Sequence, residues 1–313
     1  MNDIDLSIII PTYNRLWSLP QTIESCRNTS CRAEIIVIDD GSTDGTLAWL
    51  GQQNDLVVLH QPNLGKCWAV NKAFKMAKGK YIRFLDSDDL IERLANDEQF
   101  ELALQNGADV VVSGCTDFTN KEQTQKAQSW VETDDFIAQQ LGEGFGSHYS
   151  AFLFRKKFIE EIPHRPDFAF RDDRIFILEV ALKNPKIVVH QGAALLHRIA
   201  HHDRLQVSSG LKQQVQNYQH LNLYKYILGQ LSKEGKLTTR RIKASINVLW
   251  PLCHWIAKDN INEAAVLLKW IVELNPDFTP PNKGGIGFMF RIVGFKTTER
   301  ILSIRRLFKY GWN

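Results

Sequence analysis

Three short acidic stretches hold the residues best suited to chemistry. Arg83 to Ile91 reads RFLDSDDLI and sets Asp86, Asp88 and Asp89 within four positions. Such a cluster repels itself unless a cation joins it. Asp39-Asp40-Gly41-Ser42 forms a second stretch, and Arg171-Asp172-Asp173-Arg174 a third. An EF-hand loop requires acids at positions one, three and five, Gly at six and Glu at twelve. Counted from Asp86, positions five and six are Leu90 and Ile91; counted from Asp40, position twelve is Gly51. Both counts fail. A short carboxylate cluster instead suits a hard divalent ion, Mg²⁺ or Mn²⁺, that keeps waters and shares substrate phosphates. Such an ion neutralises charge on a departing diphosphate. Asp40 stands where it can accept hydrogen bonds from a base or a ribose.

These residues need elements to hold them. Leu6–Ile10, Glu34–Asp39, Leu56–His60, Lys80–Leu85 and Ala108–Gly114 are apolar runs of strand length. Helical patterns lie between them, over Leu16–Cys26, Thr46–Gln53, Lys66–Lys78 and Ile91–Asn106. That alternation predicts an α/β fold with a Rossmann-like, mostly parallel sheet flanked by helices. Ligands of such sheets bind beyond the carboxyl ends of the strands. Pro11-Thr12-Tyr13-Asn14, Asp39 to Ser42 and Asp86 to Asp89 all follow strands, so three loops should meet on one edge. Asp, Asn, Gly and Ser also dominate ordinary turns, but acids in two adjoining loops favour a site.

Further along, a short strand is expected at Ser150–Phe154, and KIVVH and AALLHRI read as two strands. KEQTQKAQS reads as a polar loop. Asp172 and Asp173 open a helix, where carboxylates suit the dipole; Ile175, Leu178 and Leu182 share one face. Long helical patterns follow over Lys212–Ser232, Thr238–Ala257, Ile261–Leu274 and Gly287–Leu307. The expected organisation is a first domain over 1–208, in parts of about 1–114 and 115–208, then a helical region over 209–313.

Composition narrows the class. The 313 residues are 44% hydrophobic and 23% charged, an ordinary globular mix. A formal charge of +3 is too small to imply nucleic acid. The five cysteines include no Cys-x-x-Cys pair, which favours a reducing, cytoplasmic setting over a disulfide framework or a zinc site. MNDIDLSIII lacks a basic n-region, and no window of about 18 apolar residues occurs.

SIIIPTYNR, VIDDGSTDGT, NLGKCWAVNKAFKMAKGKYIRFLDSDD and RDDRIFILEVAL together resemble the family 2 glycosyltransferases of GT-A fold, over roughly residues 5–205. The resemblance implies a nucleotide-sugar donor, an inverting transfer and a divalent cofactor, Mn²⁺ or Mg²⁺. Pro11, Thr12, Tyr13 and Asn14 would line the donor pocket, and Asp40 would meet the base, uracil in the simplest case. Asn71, Asp86, Ser87 and Asp88 belong to the same donor side. Asp88 and Asp89 would flank the metal. The family usually carries Glu-Asp at the catalytic position; here it is Asp172-Asp173, with Asp173 as base and Asp172 the alternative. Many members have Arg before the Asn of the NxGxxxxxN block. Here Val70 stands there, and Lys66 can supply the charge. The Gln-x-x-Arg-Trp motif of processive polymerases is absent, which implies one sugar per transfer, a hexose or an N-acetylhexosamine. A glycan or glycolipid acceptor in lipopolysaccharide, capsule or related surface polymers is expected on this analogy.

In HRIAHHDRLQVS, the family segment in which a His reaches the metal or diphosphate, His201 is the candidate ligand and His202 the next. His60, His148, His164, His190, His220 and His254 read as structural. Trp250, Trp255 and Trp270 read as a helix-pair core, with a lipid groove as alternative. The tail mixes Phe288, Ile292, Ile301 and Ile304 with Arg291, Lys296, Arg300 and Arg305, a pattern for peripheral membrane contact or for packing on the catalytic domain. Two rival readings remain. A nucleotidyltransferase needs a basic Gly-rich loop after the first strand, where this chain offers only PTYNR. A non-catalytic binder would keep the fold and bind sugar nucleotide without turnover.

Overall fold

The computed structural model describes residues 4–119, 124–199, 210–280 and 284–310. Two compact units result, Met1–Asp134 with Phe145–Leu205, and Asp135–Gly144 with Gln206–Asn313. In chain order the elements are β1 (Leu6–Thr12), α1 (Leu19–Arg27), β2 (Ala33–Asp39), α2 (Thr46–Leu50), β3 (Val57–His60), α3 (Lys66–Met76), β4 (Tyr81–Phe84), β5 (Leu90–Ile91), α4 (Ala95–Asn106), β6 (Val110–Phe118), β7 (Thr124–Gln128), α5 (Phe136–Ala138), β8 (Leu153–Arg155), α6 (Lys156–Ile159), α7 (Asp172–Leu182) and β9 (Ile187–Arg198), followed by α8 (Gly210–Lys233), α9 (Thr239–Ala257), α10 (Ile261–Leu274), α11 (Gly284–Ile292) and α12 (Gly294–Tyr310).

The first unit is built on one sheet of order β3-β2-β1-β4-β8-β6-β9-β5, with β7 paired to β6. Strands β3, β2, β1 and β4 run parallel, as their continuous apolar runs require. All seven residues of β1 are buried. Beyond β4 the sheet turns mixed: β8 is antiparallel to β4 and β6, while β6 and β9 are parallel. The expected pair of strands near the end of this unit is one strand, β9, with a register shift opposite Val112–Cys115 and Gly192 at φ 99°, a bulge rather than a break. The loop expected around KEQTQKAQS contains β7, which pairs with Cys115–Phe118. An edge strand pairs through its backbone and tolerates polar side chains, so hydrophobic patterning misses it.

Register aligns the strand ends. Thr12 of β1 sits beside Asp39 of β2, and Ile9 beside Phe84 of β4. Pairing runs one residue further, through Asp40 N to Thr12 O at 2.8 Å and Leu85 N to Ile9 O at 2.9 Å. The three polar loops therefore leave one edge together, as anticipated.

Arg83 of β4 is fully buried. Its Nε donates to Asn96 Oδ1 at 2.8 Å, one terminal nitrogen to Ser150 O at 2.9 Å, and the other to Gln99 Oε1. It thus ties β4 to α4 and to the turn at Tyr149–Ala151. Burial lowers its pKa to about 10, so it stays charged at neutral pH. It serves the scaffold and does not join the aspartate cluster.

In the second unit, Tyr224 of α8 donates to Leu141 O at 2.9 Å, and Arg240 and Arg241 of α9 pair with Glu143 and Asp135. That contact set explains why 135–144 groups with the helices. Trp250 packs against Phe278, Phe290 and Phe295 as a core residue. Trp255 instead lies 46% exposed beneath the Lys258 ammonium. The single helix expected over Gly287–Leu307 is broken into α11 and α12, with Gly294 at φ 78°. Among the described residues no helix is long and apolar enough to cross a membrane.

Replacing Arg83 strands three acceptors in a dry interior. Arg83→Ala is expected to cost about 3 kcal/mol of stability, measured as a lower urea midpoint with an unchanged slope.

Candidate active site

At the carboxyl ends of β1 and β2, Thr12 Oγ1 and Asp39 Oδ1 are buried oxygens without a hydrogen-bond partner. A buried orphan oxygen asks for a donor. The other Asp39 oxygen accepts from Ser42 N at 3.1 Å and pairs with His60 Nδ1 at 3.0 Å. Asp40 is differently engaged. Its carboxylate accepts from Gln61 Nε2 at 2.8 Å and from the backbone N–H groups of Leu64 and Gly65, both at 2.9 Å. It clasps the loop leading into α3, and the orphaned carboxylate oxygen at this edge belongs to Asp39, not to Asp40. Gly41 is required here: at φ 82°, a Cβ would lie 2.8 Å from Asn63 N. Pro11 is buried in β1, while Tyr13 is 43% exposed and offers a ring face for stacking. Asn14 laces two loops together, its N–H donating to Ser42 Oγ at 2.8 Å and its Oδ1 accepting from Thr43 N at 2.8 Å.

The cation that joins the acidic cluster is Lys66, at the first turn of α3. Its Nζ lies 2.9 Å from Asp86 Oδ1 and 2.8 Å from Asp173 Oδ1. The same nitrogen sits 5.6 Å over the Tyr149 ring. One ammonium thus joins the turn after β4 to the start of α7. Burial raises the Asp86 carboxyl, but Lys66, aided by His148 and His197, outweighs it and holds the group at about 2. At Asp173 burial prevails. Lys66 opposes it, Asp172 and Asp86 add repulsion, and the carboxyl is pushed up to about 6.

The two adjacent acids of α7 are separated by direction. Asp172 is buried, with Oδ2 3.1 Å from His164 Nδ1 and Oδ1 3.5 Å from Cys67 Sγ. Burial opposes its charge, but His164 and Lys66 keep it below the ordinary range. His164 continues to Tyr149 Oη at 2.8 Å and stacks on Phe176 at 4.6 Å. Asp172 is therefore part of a buried relay. Asp173 is half-buried, the more accessible of the two acids. The Asn71 amide is turned to the backbone of His164: its Nδ2 donates to His164 O and its Oδ1 accepts from His164 N, at 2.7 and 2.8 Å.

The rest of the acidic turn leans on β9. Ser87 is buried, and its carbonyl accepts the hydroxyls of Ser18 at 2.8 Å and Thr22 at 3.1 Å. Arg198 Nε donates to Asp88 O at 2.7 Å, and Arg198 N to Asp89 Oδ1 at 2.9 Å. Asp89, His148 and His197 each present a ligand atom, and these atoms lie within 4.8 Å of one another. A carboxylate with two imidazoles is a donor set that suits a divalent transition ion, so these residues fit the cofactor expected here. His201 and His202 lie outside the described residues. Sequence reasoning set His148 and His164 aside as structural and passed over His197 within the segment it singled out. Their side-chain partners lie 8 to 80 positions away, and no local spacing reveals them.

The sequence matches the model of glycosyl transferase family 2 over residues 7–163, half of the chain. The chain belongs to glycosyltransferase family 2. Among curated family relatives, it is 32% identical to glycosyltransferase GlyG of Streptococcus pneumoniae over 142 residues, 44% of this chain and 46% of that protein. It is 36% identical over 106 residues to TuaG of Bacillus subtilis, named for teichuronic acid biosynthesis, covering 32% of this chain and 42% of TuaG. The chain thus spans less than half the length of either relative. S. aureus TarS 1-349, solved in complex with UDP-GlcNAc, superimposes with a TM-score of 0.54 at 16% identity, over 98% of this chain and 92% of that one. That likeness concerns the fold, which is GT-A with helices added at the C-terminus.

The contrast between the two acids of α7 can be measured. A carboxyl raised to about 6 destabilises the folded chain above that pH, and the penalty vanishes as pH falls below its unfolded value. Asp173→Asn is expected to raise Tm at pH 7.5, with the gain fading toward about pH 4. Asp172→Asn removes a carboxylate held below its ordinary range, and is expected to lower Tm at pH 7.5.

Proposed function

We propose that this chain transfers a single hexosyl or N-acetylhexosaminyl group from a UDP-sugar to a glycan or glycolipid acceptor, with inversion, in the building of a surface polysaccharide. The observation that carries the proposal is Asp173, a half-buried carboxylate raised to about 6 and joined through Lys66 to the acidic turn after β4. A base poised near the working pH takes a proton efficiently and is ionised when needed. The UDP-GlcNAc complex of TarS and the name of TuaG support the donor and the polymer class.

In this reading the uracil ring stacks on Tyr13, and a donor group of the nucleotide answers the orphaned oxygens of Thr12 and Asp39. Loops fixed by Asn14 and Asp40 hold that pocket open without rearrangement, which lowers the entropic cost of alignment. The acceptor hydroxyl attacks the anomeric carbon from the face opposite the diphosphate. Asp173 removes its proton as the bond to the leaving oxygen lengthens, through an oxocarbenium-like state. Lys66 steadies Asp86 in its ionised form and keeps Asp173 from rising further. Asp89, His148 and His197 would hold a divalent ion, which would supply charge neutralisation to the departing diphosphate.

The C-terminal helices support a cytoplasmic, membrane-peripheral placement. Phe288, Ile292, Ile301 and Ile304 are exposed among exposed Arg291, Lys296, Arg300 and Arg305, a mixture suited to an anionic interface. Phe288→Asp with Ile304→Asp is expected to reduce cosedimentation with phosphatidylglycerol vesicles several-fold while leaving transfer to a soluble acceptor intact.

For the chemistry, Asp173→Asn is expected to lower kcat by about 10²- to 10⁴-fold while UDP affinity by calorimetry stays within twofold. Proton NMR of the product is expected to show the anomeric configuration inverted from the donor. A retained configuration contradicts the mechanism.

A further inference from the structure

Two adjacent acids begin α7, and the helix dipole favours the anion of both alike. Their surroundings differ through one side chain outside the helix, His164. We propose that His164 is a positioning residue for the transfer: it holds Asp172 as an anion and so directs the proton taken up by this pair of acids to Asp173. The inference rests on the reading of Asp173 as the base. It adds the residue that decides which of two neighbouring carboxylates can play that part.

His164 is held on every side. From α3, Asn71 Oδ1 accepts His164 N at 2.8 Å and Asn71 Nδ2 donates to His164 O at 2.7 Å. The imidazole lies flat on Phe176 of α7, with centroids 4.6 Å and planes 15° apart, and meets Phe84 edge-on at 5.0 Å. Its two nitrogens have different partners. Nδ1 is 3.1 Å from Asp172 Oδ2, and Nε2 is 2.8 Å from Tyr149 Oη. An ionised carboxylate only accepts, so Nδ1 carries a hydrogen whatever the charge of the ring. The His164 and Asp172 side chains are each 2% exposed. Water therefore cannot replace this donor if it is lost. Asp173, with a side chain 36% exposed, is paired with Lys66 instead.

The neighbouring charges leave His164 as the group that separates the two acids. Asp172 is faced by His164, by Lys66 and Cys67 of α3, by Asp86 after β4 and by Asp173. Asp173 is faced by Lys66, Asp172, Asp86 and Tyr149. Lys66 favours both anions and Asp86 opposes both, whereas His164 acts on Asp172. Two carboxylates this close do not ionise independently, and one takes the proton first. With Asp172 held as the anion, that one is Asp173, the accessible member. A proton leaving an acceptor hydroxyl then goes to Asp173. Without His164 the buried member becomes the poorer anion, and the order reverses.

The test is carbon-13 NMR titration of the aspartate carboxyls in the full chain, without ligand, for the parent, His164→Phe and His164→Asn. Asp172→Asn and Asp173→Asn assign the signals. His164→Phe keeps a ring between Phe84 and Phe176 and removes the donor. His164→Asn restores a donor near the place of Nδ1. In His164→Phe, Asp173 is expected to titrate about one pH unit below the parent, with Asp172 above it. In His164→Asn, Asp173 should return most of the way. Hydrolysis of UDP-GlcNAc, followed by UDP release, gives the kinetic readout. In His164→Phe the acid limb of the kcat profile should move down with Asp173, and kcat at pH 7.5 should fall about tenfold while KM stays within about twofold. Lost packing alone lowers Tm without reversing the order of titration. If thermal denaturation shows His164→Phe unfolded, His164→Gln takes its place: its longer amide reaches toward Tyr149 and leaves Asp172 without the donor, so the same reversal is expected. The proposal is overturned if Asp173 titrates as in the parent in either folded variant, or if His164→Asn behaves as His164→Phe does. A reversed titration with kcat and its pH profile unchanged upholds the role of His164 in the pair and rejects Asp173 as the base.

Discussion

One ammonium group organises the acidic cluster of this protein. Lys66 lies within 3 Å of carboxylates from two parts of the chain, Asp86 after β4 and Asp173 at the start of α7. Two partly buried carboxylates this close to each other and to Asp172 would otherwise repel strongly. Lys66 resolves that repulsion unevenly. Asp86 stays firmly ionised, while Asp173, where burial and repulsion from Asp172 and Asp86 act together, is left near 6. One cation thus yields a permanently charged acid and a poised one, a separation of roles that acid–base chemistry uses repeatedly. The arrangement has a cost in stability, which the scaffold around it must offset.

The scaffold does so with buried polar ties and aromatic packing. Arg83 locks β4 to α4 and to the turn carrying Tyr149. Phe84 stacks on Tyr149 at 5.3 Å and meets Phe176 edge-on at 5.4 Å. His164 joins the same cluster and holds Asp172 inward, so the first acid of α7 is fixed while the second projects. The Tyr149 hydroxyl, the His164 ring and the Asp172 carboxylate form one line of contacts. A shift in any of them would move Asp173 relative to Lys66. The aromatic cluster is therefore tied to the chemistry although no member of it need touch a substrate.

Much of this was legible in the sequence, for reasons that are themselves physical. Buried parallel strands demand continuous apolar runs, so β1, β2 and β4 announced themselves, and the strand-end rule brought their polar loops to one edge. The pair Asp172-Asp173 was visible too, because a helix start with two acids is unusual before so apolar a run. Contacts between distant residues were not legible. Lys66 bridges positions 20 and 107 residues away, and nothing in the local pattern tells it from a solvated lysine. Asp40 looked free to bind a ligand because its three N–H partners come from a loop 21 to 25 residues on. The contact of Asn71 with His164, 93 positions on, is hidden in the same way. His148 and His197 carry no spacing relation to Asp89, and only the sheet, with β9 laid beside β5, brings them together. The edge strand β7 and the break at Gly294 were missed because polarity and a lone glycine are weak signals for either.

The uneven effect of Lys66 can be observed without any substrate. Carbon-13 NMR titration of the aspartate carboxyl groups in the free protein, assigned by Asp86→Asn and Asp173→Asn, reports both acids at once. The account predicts Asp173 titrating at about 6 and Asp86 at about 2, with both moving upward in Lys66→Met. Two carboxyls titrating together in the ordinary range for aspartate, and indifferent to the loss of Lys66, would contradict it.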